Sequence, residues 1–178
     1  MKAKLFFLSL LCGGLLAGCA SFFENPYFTV EESGLNWVVI RYYNYQKKPV
    51  QRVNLRLDGN GIVSVKSGTS SLVANSFAAN MEEDSSWGDI QEKRVTIPRK
   101  EMVPLFQMLV DNGLFVERSS SEAGSTNEAF FVFANIQNKT CGSGDDNILV
   151  SDPDLAEHLR TILMMFYHPQ PKPKPRKR

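Results

Sequence analysis

The 178-residue chain carries 20 basic and 19 acidic side chains, with 43% hydrophobic and 22% charged residues, the balance of a protein that folds around a core. The near-neutral total hides a division: residues 19–171 hold 13 basic against 19 acidic side chains, whereas five cations crowd the last seven residues. A net-acidic body excludes the usual nucleic-acid binder and makes the tail a separate electrostatic object.

Lys2 and Lys4 precede an apolar run from Leu5 to Leu16, broken by Ser9, Cys12, Gly13 and Gly14. This is the pattern of a secretory signal, too short and too rich in glycine to span a bilayer. Leu16-Ala17-Gly18-Cys19, which closes the run, resembles the lipobox of bacterial lipoproteins. The resemblance implies cleavage before Cys19, diacylation of its thiol and acylation of the new amino terminus. Two or more acyl chains anchor stably where one binds only marginally. Ala20 and Ser21, in place of an aspartate, resemble the outer-membrane sorting pattern, so the expected location is the periplasmic face of the outer membrane. With Cys12 removed and Cys19 lipidated, Cys141 stands alone, which excludes a disulfide framework and a cysteine zinc site.

The expected organisation is a signal peptide (1–18), a lipidated tether (19–34) whose Phe22, Phe23, Tyr27 and Phe28 suit either the bilayer interface or the domain surface, one domain (35–168) and a Pro/Lys/Arg-rich tail (169–178). Leu35 to Tyr45 is dense in β-forming residues and apolar on both faces, as suits a central strand. Val50 to Asp58 alternates, with Val53, Leu55 and Leu57 inward and Arg52, Asn54 and Arg56 outward. Asp58-Gly59-Asn60-Gly61 is a turn signal and Ile62 to Lys66 completes a hairpin. Ser67 to Asp89 reads as a long polar insertion, with Phe77, Met81 and Trp87 as anchors, before a strand over Ile90 to Ile97.

Pro98 to Gly113 is the clearest helix, with Met102, Leu105, Phe106, Leu109 and Val110 as its apolar stripe, Pro104 near its first turn and Gly113 as a left-handed cap. Ala129 to Asn138 is a strand, Cys141 to Asp146 a glycine-rich turn and Asn147 to Val150 a short return strand. The closing helix, about 152–167, starts at Ser151-Asp152-Pro153-Asp154 and buries Leu155, Leu159, Ile162, Leu163 and Phe166. The fold class that follows is α+β: a small antiparallel sheet of five to six strands packed by two helices. In element order, with a helix running into Gly113-Leu114-Phe115 and a closing Pro153-x-Leu155 helix, the body resembles the emfourin-type metalloprotease inhibitors and related small envelope domains. That resemblance implies a binding module, and no inhibitor-specific residue carries over with it.

Chemistry is thin along the chain. There is no Gly-x-Ser-x-Gly elbow, and Lys139-Thr140-Cys141 lacks the glycine of a penicillin-binding Lys-Thr-Gly. The two histidines, His158 and His168, sit on or beside the closing helix, where His158 reads as a half-exposed flank of the apolar stripe. Asp145, Asp146, Asp152 and Asp154 gather four carboxylates but lack the order of a calcium loop, and the last two have a helix start to serve. No catalytic residue, metal or cofactor is therefore assigned. The tail, with Lys172, Lys174, Arg176, Lys177 and Arg178 spaced by prolines, is expected to be extended and to contact anionic peptidoglycan or lipid through charge. The expected function is a membrane-anchored, non-catalytic binding, adaptor or structural module of the cell envelope, with envelope proteins as further partners. The alternatives are an envelope hydrolase with a dispersed site and a peptidase-inhibitor-like module.

Overall fold

The computed structural model of the chain describes residues 26–70, 87–116, 127–141, 148–150 and 152–168. Among these described residues, seven strands and two helices follow in the order β1 (Trp37–Asn44), β2 (Val50–Asp58), β3 (Ile62–Ser70), β4 (Trp87–Thr96), α1 (Arg99–Asp111), β5 (Glu128–Ile136), β6 (Lys139–Cys141), β7 (Ile148–Leu149) and α2 (Pro153–Phe166). The strands form one antiparallel sheet in the order β4-β3-β2-β1-β5-β6, with β7 also paired to β5. This is the α+β arrangement of an antiparallel sheet and two helices that the patterning implies, with β1 and β2 at its centre.

The period-two alternation sets which face each side chain takes. Val38, Ile40 and Tyr42 of β1, Val53, Leu55 and Leu57 of β2, and Phe130, Val132, Ala134 and Ile136 of β5 point to one side. There they meet Met102, Leu105, Phe106, Leu109 and Val110 of α1 and Leu155, Leu159, Ile162 and Leu163 of α2, all buried. The 3.6-residue spacing of those helical residues gives each helix one apolar stripe, and both stripes lie on the same face of the sheet. Phe166 is only partly buried at the margin of this core.

The helix ends follow their sequence signals. Gly113 adopts φ +80°, Leu114 N–H donates to the Leu109 carbonyl at 3.0 Å and Gly113 N–H to that of Val110 at 3.1 Å, which is the Schellman arrangement. Asp152 caps α2, one carboxylate oxygen accepting from the backbone of Asp154 at 2.9 Å and of Leu155 at 3.0 Å. Pro104 lies in the second turn of α1, not the first, so it removes the intrahelical bond to the Lys100 carbonyl.

Three boundaries differ from the sequence expectation. β3 runs on to Ser70 and β4 begins at Trp87, so the polar insertion narrows to 71–86, outside the described residues, as are Phe77 and Met81. A bulge between Ser67 and Thr69, with Asp89 at φ +51°, lets this extension pair. The second hairpin turns at Gln137 and Asn138, both at positive φ, where a continuous strand was expected.

The third difference is at the start. From Phe28 onward, the stretch grouped with the tether lies on the body. Gln107 of α1 accepts from Val30 N–H at 2.7 Å and donates to the Phe28 carbonyl at 3.0 Å, so one side-chain amide pairs with the backbone as a neighbouring strand would. Val30 is buried, and Phe28 packs against Phe115. Buried Asn36 donates to the Glu31 carbonyl and accepts from Gln137 N–H, tying this entry segment to the second hairpin. Gly59 N–H bonds the Asn36 carbonyl at 2.7 Å, and a Cβ at Gly59 would stand 2.0 Å from the Ser33 carbonyl oxygen.

Candidate functional site

The helices take one face of the sheet; the opposite face is built differently. Alternation places Trp37, Val39, Arg41 and Tyr43 of β1 there, with Tyr45 just beyond the strand stacked on Tyr43, and with Arg52, Asn54 and Arg56 of β2, Ser64 and Lys66 of β3, Glu92 and Arg94 of β4, and Phe131 and Phe133 of β5. Cations and rings interleave across it. Arg41 lies over Phe133 at 4.6 Å, Arg52 over Trp87 at 3.9 Å and Tyr43 at 5.5 Å, Arg56 over Trp37 at 5.3 Å, and Lys66 beside Trp87 at 5.1 Å. Each such pair contributes roughly 0.5–2 kcal/mol, the larger value where water is excluded.

The face has two zones. Towards the β1–β2 turn it is closed: Arg52 is 0% exposed and Tyr43 3%, while Phe131 stands edge-on to Tyr43 with ring centres 5.9 Å apart. Arg52 takes the outward face that its alternation predicts, and strand pairing buries it there between the rings of Tyr43 and Trp87. Burial lowers the pKa of both Arg41 and Arg52 from the ordinary guanidinium value, with Tyr43 acting in the opposite direction. Burial also raises the tyrosine hydroxyls of Tyr43 and Tyr45.

Towards the Asp58–Ile62 turn the face opens into a shallow groove of ≈ 440 Å³, lined by Asn54, Arg56, Ser64, Lys66, Glu92 and Arg94. Arg56, Ser64 and Arg94 stand in one cross-strand row, and Asn54, Lys66 and Glu92 in the next. Arg56 donates to a single Asp58 oxygen, from Nε at 2.9 Å and Nη2 at 2.8 Å, and Lys66 lies 3.8 Å from Glu92. Arg94, exposed on the edge strand, ion-pairs with no described carboxylate. An open row of cations beside rings and short polar groups can bind anions and stack planar or saccharide rings.

No protein-family model matches the chain, and no curated protein aligns with it.

Of the candidate site residues that the sequence singles out, none that is described lines this groove. Cys19 and the tail cations Lys172, Lys174, Arg176, Lys177 and Arg178 lie outside the described residues, as do Asp145 and Asp146. His158 hydrogen-bonds the carbonyl of Asp154, four residues back on its own helix, at 2.7 Å. Cys141 is half-buried at the end of β6, opposite Ala134. Asp152 is occupied as a cap. Among the described residues no three of His, Cys, Asp and Glu gather as metal ligands, and no helix is long and apolar enough to cross a membrane.

A polar cluster also joins α2 to the sheet at β5 and β1. Arg160 bonds both Glu157 and Glu128, and Glu128 accepts from the Tyr42 hydroxyl at 3.2 Å. Burial opposes the charge on Arg160, but the two carboxylates outweigh it and raise its pKa; burial and then the Glu128 charge raise that of Tyr42. Every member is held by another, so the cluster reads as a fastening between α2 and β5 rather than a site.

Proposed function

We propose that the chain is a lipoprotein holding a non-catalytic binding module at the bacterial cell envelope, on the periplasmic side of the outer membrane, and that its working surface is the outer face of the sheet. The anchor rests on the lipobox at Cys19. Phe28, nine residues on, already contacts the body, so an extended tether allows about 30 Å between lipid and domain. Such a body works close to the membrane surface. The basic, proline-spaced tail adds a second contact, with anionic envelope polymers, through charge.

The observation that carries the reading is the asymmetry of the sheet. One face is filled by two helices; the other concentrates Arg41, Arg52, Arg56, Lys66 and Arg94 although the body as a whole is acidic. A merely solvated face has no need of rings beneath its cations. Affinity capture from envelope extract tests this with three baits: the chain, a chain ending at Pro169, and the double variant Arg56→Gln/Arg94→Gln. The expected result is a partner retained by the first two and lost with the third. Retention by all three, or loss only with the tail, is the opposite result.

A further inference from the structure

The open zone of the outer face permits a narrower statement, which rests on the binding reading above. We infer that Arg56, Ser64 and Arg94 form an oxyanion cradle that takes a phosphate group carried on a saccharide.

The strand register is the first reason. Arg56 pairs with Ser64 and Ser64 with Arg94 in direct cross-strand positions on the same face. Neighbouring strands lie about 4.8 Å apart, so the two arginines start about 10 Å from each other across a short hydroxyl. The groove that Arg56, Ser64 and Arg94 line together has room for a tetrahedral oxyanion, which would accept charge-assisted hydrogen bonds from the two guanidinium groups and one from the hydroxyl. A third cation, Lys66, is two residues along β3 from Ser64 and lines the same groove.

Charge is the second reason. Arg56 engages only one oxygen of Asp58, which leaves other guanidinium donors uncommitted to that carboxylate, and Arg94 has no described carboxylate partner. Glu92, at 3.8 Å from Lys66, is the groove's own opposing charge.

The surroundings identify the carrier. Trp37, half-buried, lies under Arg56 with 5.3 Å from guanidinium to ring centre, and Val39 and Phe133, also half-buried, continue the cradle's row across β1 and β5. Arg56 and Arg41 lie over the rings of Trp37 and Phe133, so it is the margin of this apolar strip beside the groove that a sugar ring joined to the phosphate meets. The groove is shallow and open, which suits a chain of sugars lying along it.

The test is a titration of the full chain in zwitterionic detergent, following backbone amides and the indoles by NMR, so that Ser64 and Arg94 are read separately from the tail. The probes are a phosphorylated disaccharide, the same disaccharide without phosphate, and inorganic phosphate. The phosphorylated sugar is expected to shift the Ser64 and Arg94 amides and the Trp37 indole. Inorganic phosphate should move only the two amides, at least tenfold more weakly, and the neutral sugar neither. Arg94→Gln should weaken the phosphorylated sugar about tenfold, and Glu92→Gln should strengthen it, a pair of opposite effects that a structural role does not produce. An unmoved Ser64 and Arg94, equal binding of inorganic phosphate and phosphosugar, or identical responses of the two variants would overturn the cradle. A partner captured through the outer face alongside any of these results removes the cradle and leaves the binding reading standing.

Discussion

The guanidinium carbon of Arg52 lies 3.9 Å from the ring centre of Trp87, although β2 and β4 are separated by β3. The crossing is made over Gly68, the register partner of Arg52: a Cβ there would sit 3.4 Å from the Trp87 ring and 2.5 Å from the Gly88 carbonyl oxygen. A missing side chain in the middle strand is what lets an indole on the edge strand cover a buried cation. Replacing Trp87 by Leu removes the ring from both Arg52 and Lys66. The expected loss is about 2–4 kcal/mol in urea unfolding, with Trp87→Phe losing less because a smaller ring remains.

Gly68→Ala is expected to cost about 1–3 kcal/mol, since the added methyl meets backbone and the bulge has to shift. The same substitution at Gly34, where the nearest atom is the Asn60 Cβ at 4.0 Å, should be nearly neutral. Parallel urea titrations of the two variants separate a packing cost from a general intolerance of alanine.

The bond pair from Gln107 to residues 28 and 30 is the main polar link between the entry segment and α1. Gln107→Ala should lower stability by about 1–2 kcal/mol and speed amide exchange at Val30 well before exchange in β1 changes. Equal acceleration throughout the sheet would mean that the segment and the core open together.

Burial raises the tyrosine hydroxyls of Tyr42, Tyr43, Tyr45 and Tyr167 above the ordinary value of 10.0. A group whose folded pKa is raised favours the fold in its neutral form. Its contribution is complete below the unfolded value and is lost as pH climbs towards the folded one. The chain should therefore hold its stability up to about pH 10 and unfold above it, with tyrosinate absorbance rising together with loss of circular dichroism. Full tyrosine titration with the dichroism unchanged would contradict the burial of these rings.

Much of the fold was legible because its signals are local. Val53, Leu55 and Leu57 announce a one-sided strand, Gly113 the end of a helix and Asp152 the start of another, and each does what its chemistry dictates. Three features resisted reading because their causes lie far away in sequence. Ser67 to Ser70 is polar and glycine-containing, and pairs only because the bulge at Asp89 accommodates it. Val30 has no periodic neighbours and is fixed by Gln107, 77 residues away. Gln137-Asn138 lacks the glycine of a two-residue turn, and its first N–H is received by Asn36, 101 residues earlier. The outer face was the least legible. Arg52 and Arg56 alternate with leucines as solvated residues do, and only pairing of β1 with β2, and β3 with β4, brings Tyr43, Trp87 and Trp37 to them.

The central claim is that this chain meets its partner through the outer face of the sheet. Site-specific photo-crosslinking in intact cells tests it most directly, with the reactive side chain placed at Ser64 in the groove or at Thr161 on the exposed side of α2. The account predicts a discrete adduct from Ser64 that disappears in the Arg56→Gln/Arg94→Gln background, and none from Thr161. Adducts from Thr161 alone, or an adduct at Ser64 that both arginines can be removed without disturbing, would contradict it.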